Sequence, residues 1–413
     1  MTKARRGGLW HHRDFRRLWV GDTISQFGTT ISRLALPLLA VLVLDASTFE
    51  VGLLVAFETV AFLLIGLPAG VWVDRMRRRR VLIVNDLVRA VAIGSLPVAH
   101  AAGVLSIEQL YCVAFISGVG TVFFDVAYQS YLPELIGRDD LVEGNAKLQA
   151  SQSVAQVAGP SGGGALVQTL TAPYALLVDA VSYLWSAMWV GAISVRPPRP
   201  QSLPGRSLRR ELADGLRFVW GNRPLRAITM TTGVANLFEA ASSMLLLVLL
   251  ARTLSLPPGL IGLPMSTAAV GGLLGTAVAV RVARRIGQGA AICASVAMVG
   301  VAGLVAPFVH RGWTFVLLLV AQFMFGVGVV IYNITQVSFR QRLCPPALLG
   351  RMNATIRFVV FGTIPLGGLL GGALGSGLGV RTALLVTALG GLLALVPALA
   401  SPLPRMRELP TAG

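Results

Sequence analysis

Twelve stretches of this chain are apolar, almost free of charge and about twenty residues long or more. They fall at about 18–44, 50–73, 81–103, 108–128, 146–170 and 174–195. After a polar interval six more follow, at about 224–251, 259–280, 289–309, 313–337, 352–376 and 380–400. A helix of that length crosses about 30 Å of hydrocarbon. In hydrocarbon the backbone polar groups find partners only inside helices or closed barrels, and the alternating ten-residue pattern of barrel strands is absent. The runs therefore predict an all-α integral membrane protein with twelve transmembrane helices. Composition agrees, because 54% hydrophobic and 13% charged residues leave too few charges to coat a soluble fold of 413 residues. A mean hydropathy of +0.72 excludes a disordered chain.

The formal net charge of +17 comes almost wholly from Arg, since only Lys3 and Lys147 are lysines. The Arg residues form short clusters between apolar runs rather than a basic domain, so no nucleic-acid partner is expected. Their distribution sets orientation. Thirty of the 35 basic residues fall on the side of the two termini, and Arg252, Arg311 and Arg381 fall on the other. Arg33 and Arg89 lie inside spans. Both termini are therefore expected in the cytoplasm, in the inner (plasma) membrane of a bacterium. The first apolar run lacks a small-residue cleavage site and is read as a retained span.

The expected organisation is a six-helix bundle at 1–195, a linker at 196–222 and a second bundle with a short tail at 223–413. The linker begins Pro-rich, and its second half, SLRRELADGLRFVW, has the spacing of an interfacial amphipathic helix. The two halves resemble each other: Asn145-Ala146 and Asn353-Ala354 stand in matching contexts before Gly-rich spans. Such a duplication is how secondary transporters place a pathway between two bundles.

Enzymatic signals are lacking. Gly159-Pro-Ser161-Gly-Gly163 fits the pattern G-x-S-x-G formally, but no strand precedes it and the four His lie at span ends or in the tail. No phosphate loop is present, and Cys112, Cys293 and Cys344 have neither ligand nor disulfide spacing. No cofactor or metal is expected, and an ion gradient becomes the expected energy source.

The segment after the second run reads GVWVDRMRRRR. Gly70, Asp74, Arg75, Arg78 and Arg79 resemble the G-x-x-x-D-R-x-G-R-[RK] loop of the major facilitator superfamily, with Arg77 in place of its second Gly. The resemblance implies two pseudo-symmetric six-helix bundles and a cytoplasmic latch built on Asp74 and Arg78, with Asp125 as the expected partner of Arg78. In the fifth run Ala155, Gly159, Pro160, Gly163 and Gly164 resemble the antiporter signature G-x-x-x-G-P-x-x-G-G. Small residues at helical spacing let helices approach closely. The stretches FRRLWVGDTISQFGTT and LLVDAVSYLWSA are similar to the drug:proton antiporter branch that includes macrolide efflux proteins and the enterobactin exporter. That resemblance implies efflux of a hydrophobic or amphipathic small molecule by proton antiport, from a monomer in the lipid bilayer. Export of a siderophore or another anionic metabolite stays open, as does a sensor or scaffold that no longer transports.

Ionisable residues inside spans are costly and are functional candidates. Glu239, mid-span and three residues after Asn236, is the candidate coupling acid, because removal from water disfavours the charged form of a carboxyl group. Arg33 is its candidate partner, or a contact for substrate. Glu58 is a candidate gate, and Asp22 a capping or interface residue with a possible proton role. Asp86 and Arg89 have the spacing of a local helix pair, and Asp179 reads as structural. Phe57, Phe62, Phe238 and Phe325 are candidates for an apolar pocket.

Overall fold

A computed structural model describes residues 9–137, 140–194, 208–345 and 348–406. These residues form helices and no strands. In the first half they are α1 (Arg13–Leu42), α2 (Thr48–Arg75), α3 (Arg78–Ala101), α4 (Ile107–Ile136), α5 (Leu141–Leu170) and α6 (Ala172–Gly191). Helix α7 (Leu208–Gly221) precedes α8 (Arg223–Val248), which runs on into a π-helical turn, Leu249–Thr253. A single turn, α9 (Pro258–Ile261), leads into α10 (Leu263–Ile286), α11 (Gln288–Gly303), α12 (Trp313–Leu343), α13 (Leu349–Leu378), α14 (Val380–Leu392) and α15 (Leu395–Leu399).

Among the described residues ten helices are long and apolar enough to cross a membrane. Helices α5 and α6 fall outside that group. The first turns of α5 carry Glu143 and Lys147, and α6 carries Asp179 with Ser182 and Ser186. Yet α6 still presents Leu177, Val181, Leu184 and Met188 outward. A belt of exposed Val, Leu and Met also covers α3, α10 and α12. In water such a belt would be an aggregation surface, whereas in hydrocarbon it needs no cover.

Local chemistry fixes the helix ends. Ser47 and Glu50 form a reciprocal capping box at the start of α2, with Ser47 N donating to Glu50 Oε2 at 2.6 Å. Asn222 caps α8 by accepting from Leu225 N at 3.3 Å. Gly137, Gly287 and Gly379 end their helices at φ of 78°, 90° and 79°, a conformation that glycine adopts without a Cβ penalty.

The ends rich in Arg gather on one face. There Arg17 donates to the carbonyl of Ala192 at 2.5 Å, Arg79 to those of Val190 and Gly191, and Leu9 N to Glu143 at 3.0 Å. Helix α7 packs on this basic face: Val219 is buried with Leu225, Cys344, Met352 and Ile356. The expected amphipathic segment is thus helical, while the Pro-rich half of the linker lies outside the described residues. On the opposite face each of the three Arg donates to backbone carbonyls. Arg311 reaches Leu254 and Ser255, Arg381 reaches Pro307 and Val309, and Arg252 reaches Ala46.

Within the first half α1 packs on α5 and α6, α2 on α4, and α3 on α4 and α6. Within the second, α8 packs on α13 and α14, and α12 on α10 and α11. The halves meet along two seams, α2 with α13 and α5 with α9 and α10.

Candidate functional site

Between the seams lies a cavity of about 730 Å³, walled by α1, α2, α4 and α6 on one side and by α8, α10, α12 and α13 on the other. Its size suits a drug-like guest. Six ionisable side chains line it: Arg33, Glu58, Asp125, Asp179, Glu239 and Arg357. Aromatic rings supply the apolar part. Phe62 of α2 stacks on Phe361 of α13 at 5.4 Å, and the Arg357 guanidinium lies 5.6 Å from the same ring. Phe325 and Gln322 of α12 add an apolar and an amide surface. A guest with an apolar body and a polar or charged group finds both kinds of partner here.

The expected residues are distributed unevenly over this site. Glu239 and Arg33 both open into the cavity, but no ion pair joins them among the described residues. Glu239 accepts from Ser243 Oγ, one turn further along α8, at 3.0 Å. The charge of Arg33 acts instead on Glu58 and Asp125. Asn236 does not line the cavity. Asp22 belongs to a second, polar pocket of about 530 Å³ with Gln26, Tyr128, Asn145, Gln149 and Gln152, toward the basic face. Of the four candidate Phe, Phe62 and Phe325 line the cavity. Phe57 stacks on Tyr111 at 5.2 Å inside the first half, and Phe238 packs over Gly390 in the second.

The latch motif has a different partner from the one expected. Arg78 forms its ion pair with Glu134 and a longer one, 3.4 Å, with Asp74. Asp125 sits nine residues before Glu134 on α4, about 13 Å along the helix, and faces the cavity. The Asp74 side chain keeps 65% of its exposure, Arg75 is exposed, and nothing stands within 4 Å of where a Gly70 Cβ would be. Among the described residues no ion pair or hydrogen bond joins Asp74 or Arg78 to the second half. Arg357, grouped by sequence with the basic face, lies inside α13 at the cavity wall; its distance from the start of the apolar run was the available signal.

The two seams lie toward the face opposite the basic one. A Cβ on Gly52 would fall 2.4 Å from the carbonyl oxygen of Gly368, and one on Gly375 would meet Thr48 at 2.5 Å. On the other seam a Cβ on Gly164 would fall 2.4 Å from the carbonyl oxygen of Pro258, and one on Gly262 would lie 2.0 Å from that of Pro160. Ser161 Oγ donates to Ser266 Oγ at 2.7 Å, Gly259 N to Gln168 at 3.1 Å, and Arg252 pairs with Asp45 at 2.8 Å across the halves. The small residues of α5 thus serve two interfaces. Gly159 and Gly163 admit Thr30 and Ile31 of α1, while Pro160 and Gly164 touch the second half.

The profile of the family described as transmembrane secretion effector, within the major facilitator superfamily, matches residues 9–412. The multidrug efflux pump Tap of Mycolicibacterium fortuitum is 29% identical over 399 residues, 94% of each chain. Macrolide efflux protein A of Streptococcus pyogenes is 22% identical over 373 residues, 89% of this chain and 90% of its own. Among solved structures, a bacterial homologue of the iron transporter ferroportin in its inward-facing state superposes with a TM-score of 0.78 at 18% identity, covering 94% of this chain and 98% of that one. The outward-facing state of such a homologue, at the same identity and coverage, gives 0.61. The fold therefore matches the inward-facing arrangement better, in line with seams gathered at the face opposite the termini.

Proposed function

The chain belongs to the transmembrane secretion effector family of the major facilitator superfamily, and from that premise we propose that it exports an amphipathic small molecule by proton antiport. The observation that carries this reading is the cavity between the halves, which combines stacked aromatic rings with four carboxyl groups and two guanidinium groups. More acids than bases favour a cationic or zwitterionic amphiphile over an anionic metabolite. The names of the two relatives, a multidrug pump and a macrolide efflux protein, support efflux.

In this reading residues 1–195 and 223–413 are two six-helix bundles joined by 196–222, and twelve helices cross the plasma membrane. The basic face is cytoplasmic by the positive-inside rule, and the monomer is the working unit. The bundles rock about the cavity. Cargo enters from the basic face while the seams are closed. Opening the seams and latching Asp74 and Arg78 against the second half releases it on the other side. Glu239 exchanges a proton with the cavity, so that cargo and proton displace each other.

The test is Glu239→Gln in proteoliposomes with an imposed pH gradient and ethidium as the transported probe. Loss of gradient-driven ethidium movement with retained ethidium binding is the expected result. Full gradient-driven movement in the variant would contradict the assignment of the coupling acid.

A further inference from the structure

Three buried groups of the first half converge on a charge imbalance. Arg89 leaves α3 and enters the packing between α4 and α6, where it is 4% exposed. Its guanidinium carbon lies 4.2 Å from the ring centre of Tyr183 and 4.7 Å from that of Phe124. Its Nη2 donates to Asp86 Oδ1 at 2.5 Å, and its Nε has no acceptor. Asp86 and Asp179 are both 0% exposed. Asp179 accepts from Ser182 Oγ at 3.1 Å, and the second oxygen of each carboxyl group has no hydrogen-bond partner.

The packing is cut to hold this group. A Cβ on Gly28 of α1 would fall 2.6 Å from Asp179 Oδ1, and one on Gly120 of α4 would fall 2.8 Å from Arg89 Cγ. The other ionisable or polar groups that face it are Ser32 and Thr29 of α1, Asp125 of α4, and Ser182, Tyr183 and Ser186 of α6. Asp22 of α1 lies beyond Asp86, toward the polar pocket. Among the described residues Arg89 is the one cation that acts on Asp86 and Asp179, whereas Arg33 and Arg357 act on Asp125 from across the cavity. Asp179, Tyr183, Ser32 and Thr29 also form part of the cavity wall.

Two carboxyl groups and one guanidinium enclosed together cannot all be ionised without an unpaired buried charge. The penalty for such a charge is met by taking up a proton. Asp86 is in direct contact with Arg89 and is the ionised partner, so the proton falls to Asp179. We propose that Asp179 is a proton-carrying site of the first half, separate from Glu239, which exchanges its proton with the cavity while Arg89 serves as the shared counter-ion. On release the Asp179 O–H bond breaks, the proton passes to water in the cavity, and the carboxylate left behind is stabilised by the Arg89 N–H that has no acceptor in the present state. Two such sites facing one cavity, one in each half, let the protonation of each bundle be read at their interface. The transport consequence rests on the antiport reading; the proton on Asp179 does not.

Infrared spectra of the purified full chain in nanodiscs test this without any transported probe. At neutral pH the wild type minus Asp179→Asn difference is expected to contain a carboxylic-acid C=O band. The same band is expected to vanish in Asp86→Asn, because Asp179 is then the one fully enclosed carboxyl group left to balance Arg89. A carboxylate band in the first difference, or persistence of the acid band in Asp86→Asn, would overturn the proposal. Asp179→Asn replaces a neutral acid by its isostere, so an unchanged melting temperature is expected and keeps the comparison interpretable. Ethidium movement driven by a pH gradient in proteoliposomes is expected to be lost in Asp179→Asn, and its full survival would overturn the exchange role. A wild type that shows the acid band but no gradient-driven movement would support the proton site and contradict antiport.

Discussion

Arg89→Ala is expected to destabilise the protein by about 3–5 kcal/mol, the range found when one member of a buried ion pair is removed. Asp86 loses its only cation, and both carboxyl groups stay fully enclosed. Tyr183 and Phe124 each lose the guanidinium packed on their faces. The void is not readily refilled, because the neighbour at the Arg89 stem is Gly120. Thermal unfolding of the detergent-purified protein measures this. Asp86→Asn combined with Arg89→Gln removes the cation and the ionised acid together, leaving Asp179 neutral, and is expected to recover a large part of the loss. An Arg89→Ala variant that melts like the wild type would show that the pair carries no structural charge balance.

Gly262→Leu is expected to abolish transport while leaving the protein folded. The residue has φ of −75°, so its backbone would accept any side chain. Space alone forbids one: a Cβ there would fall 2.0 Å from the Pro160 carbonyl oxygen and 2.5 Å from the carbonyl carbon. Both are backbone atoms of a helix and cannot swing aside. The same seam carries a like constraint at Gly164. A leucine at 262 therefore holds the α5 and α10 ends apart, and the cavity opens toward the face opposite the termini. The readout is labelling of Phe325→Cys, in a background without Cys112, Cys293 and Cys344, by an impermeant maleimide added from that face. Labelling is expected to rise sharply over that in the same background with Gly262 intact. Unchanged labelling together with normal ethidium movement would contradict the role of the seam.

The sequence and the structure agree where hydrophobicity alone decides. Each of the twelve apolar runs falls on described helix, although α4 runs about eight residues and α10 and α12 about six past the expected ends, the last run is divided between α14 and α15, and the ninth ends in a short 3-10 turn at Ala306–Phe308. Duplication and the basic face are likewise visible without coordinates. Helix rotation is not. In a membrane both lipid-facing and bundle-facing surfaces are apolar, so periodicity gives little sign of which side of a span looks inward. Asp86 and Asp179 stand 93 residues apart on different helices. The i, i+3 spacing of Asp86 and Arg89 therefore reads as a local pair, and nothing in the sequence joins Asp179 to it. For the same reason the sequence does not distinguish Asp125 from Glu134, both on α4, as the partner of Arg78, and it is Glu134 that pairs with it. Nor does it separate Arg357, which faces the cavity, from the Arg residues of the basic face. The α5 glycines were legible as close-packing residues, but their division between two interfaces depends on the approach of α9 and α10.

Alternation of the two ends of α5 against α9 and α10 tests the account most directly. Spin labels at Leu170 and Leu260 report the sealed face, and labels at Val142 and Ile286 report the basic face; all four side chains are exposed. Distances measured in nanodiscs, with and without ethidium and at neutral and acidic pH, should change in opposite senses, one pair separating as the other closes. Two distances that stay fixed under every condition would show that the halves do not alternate about the cavity.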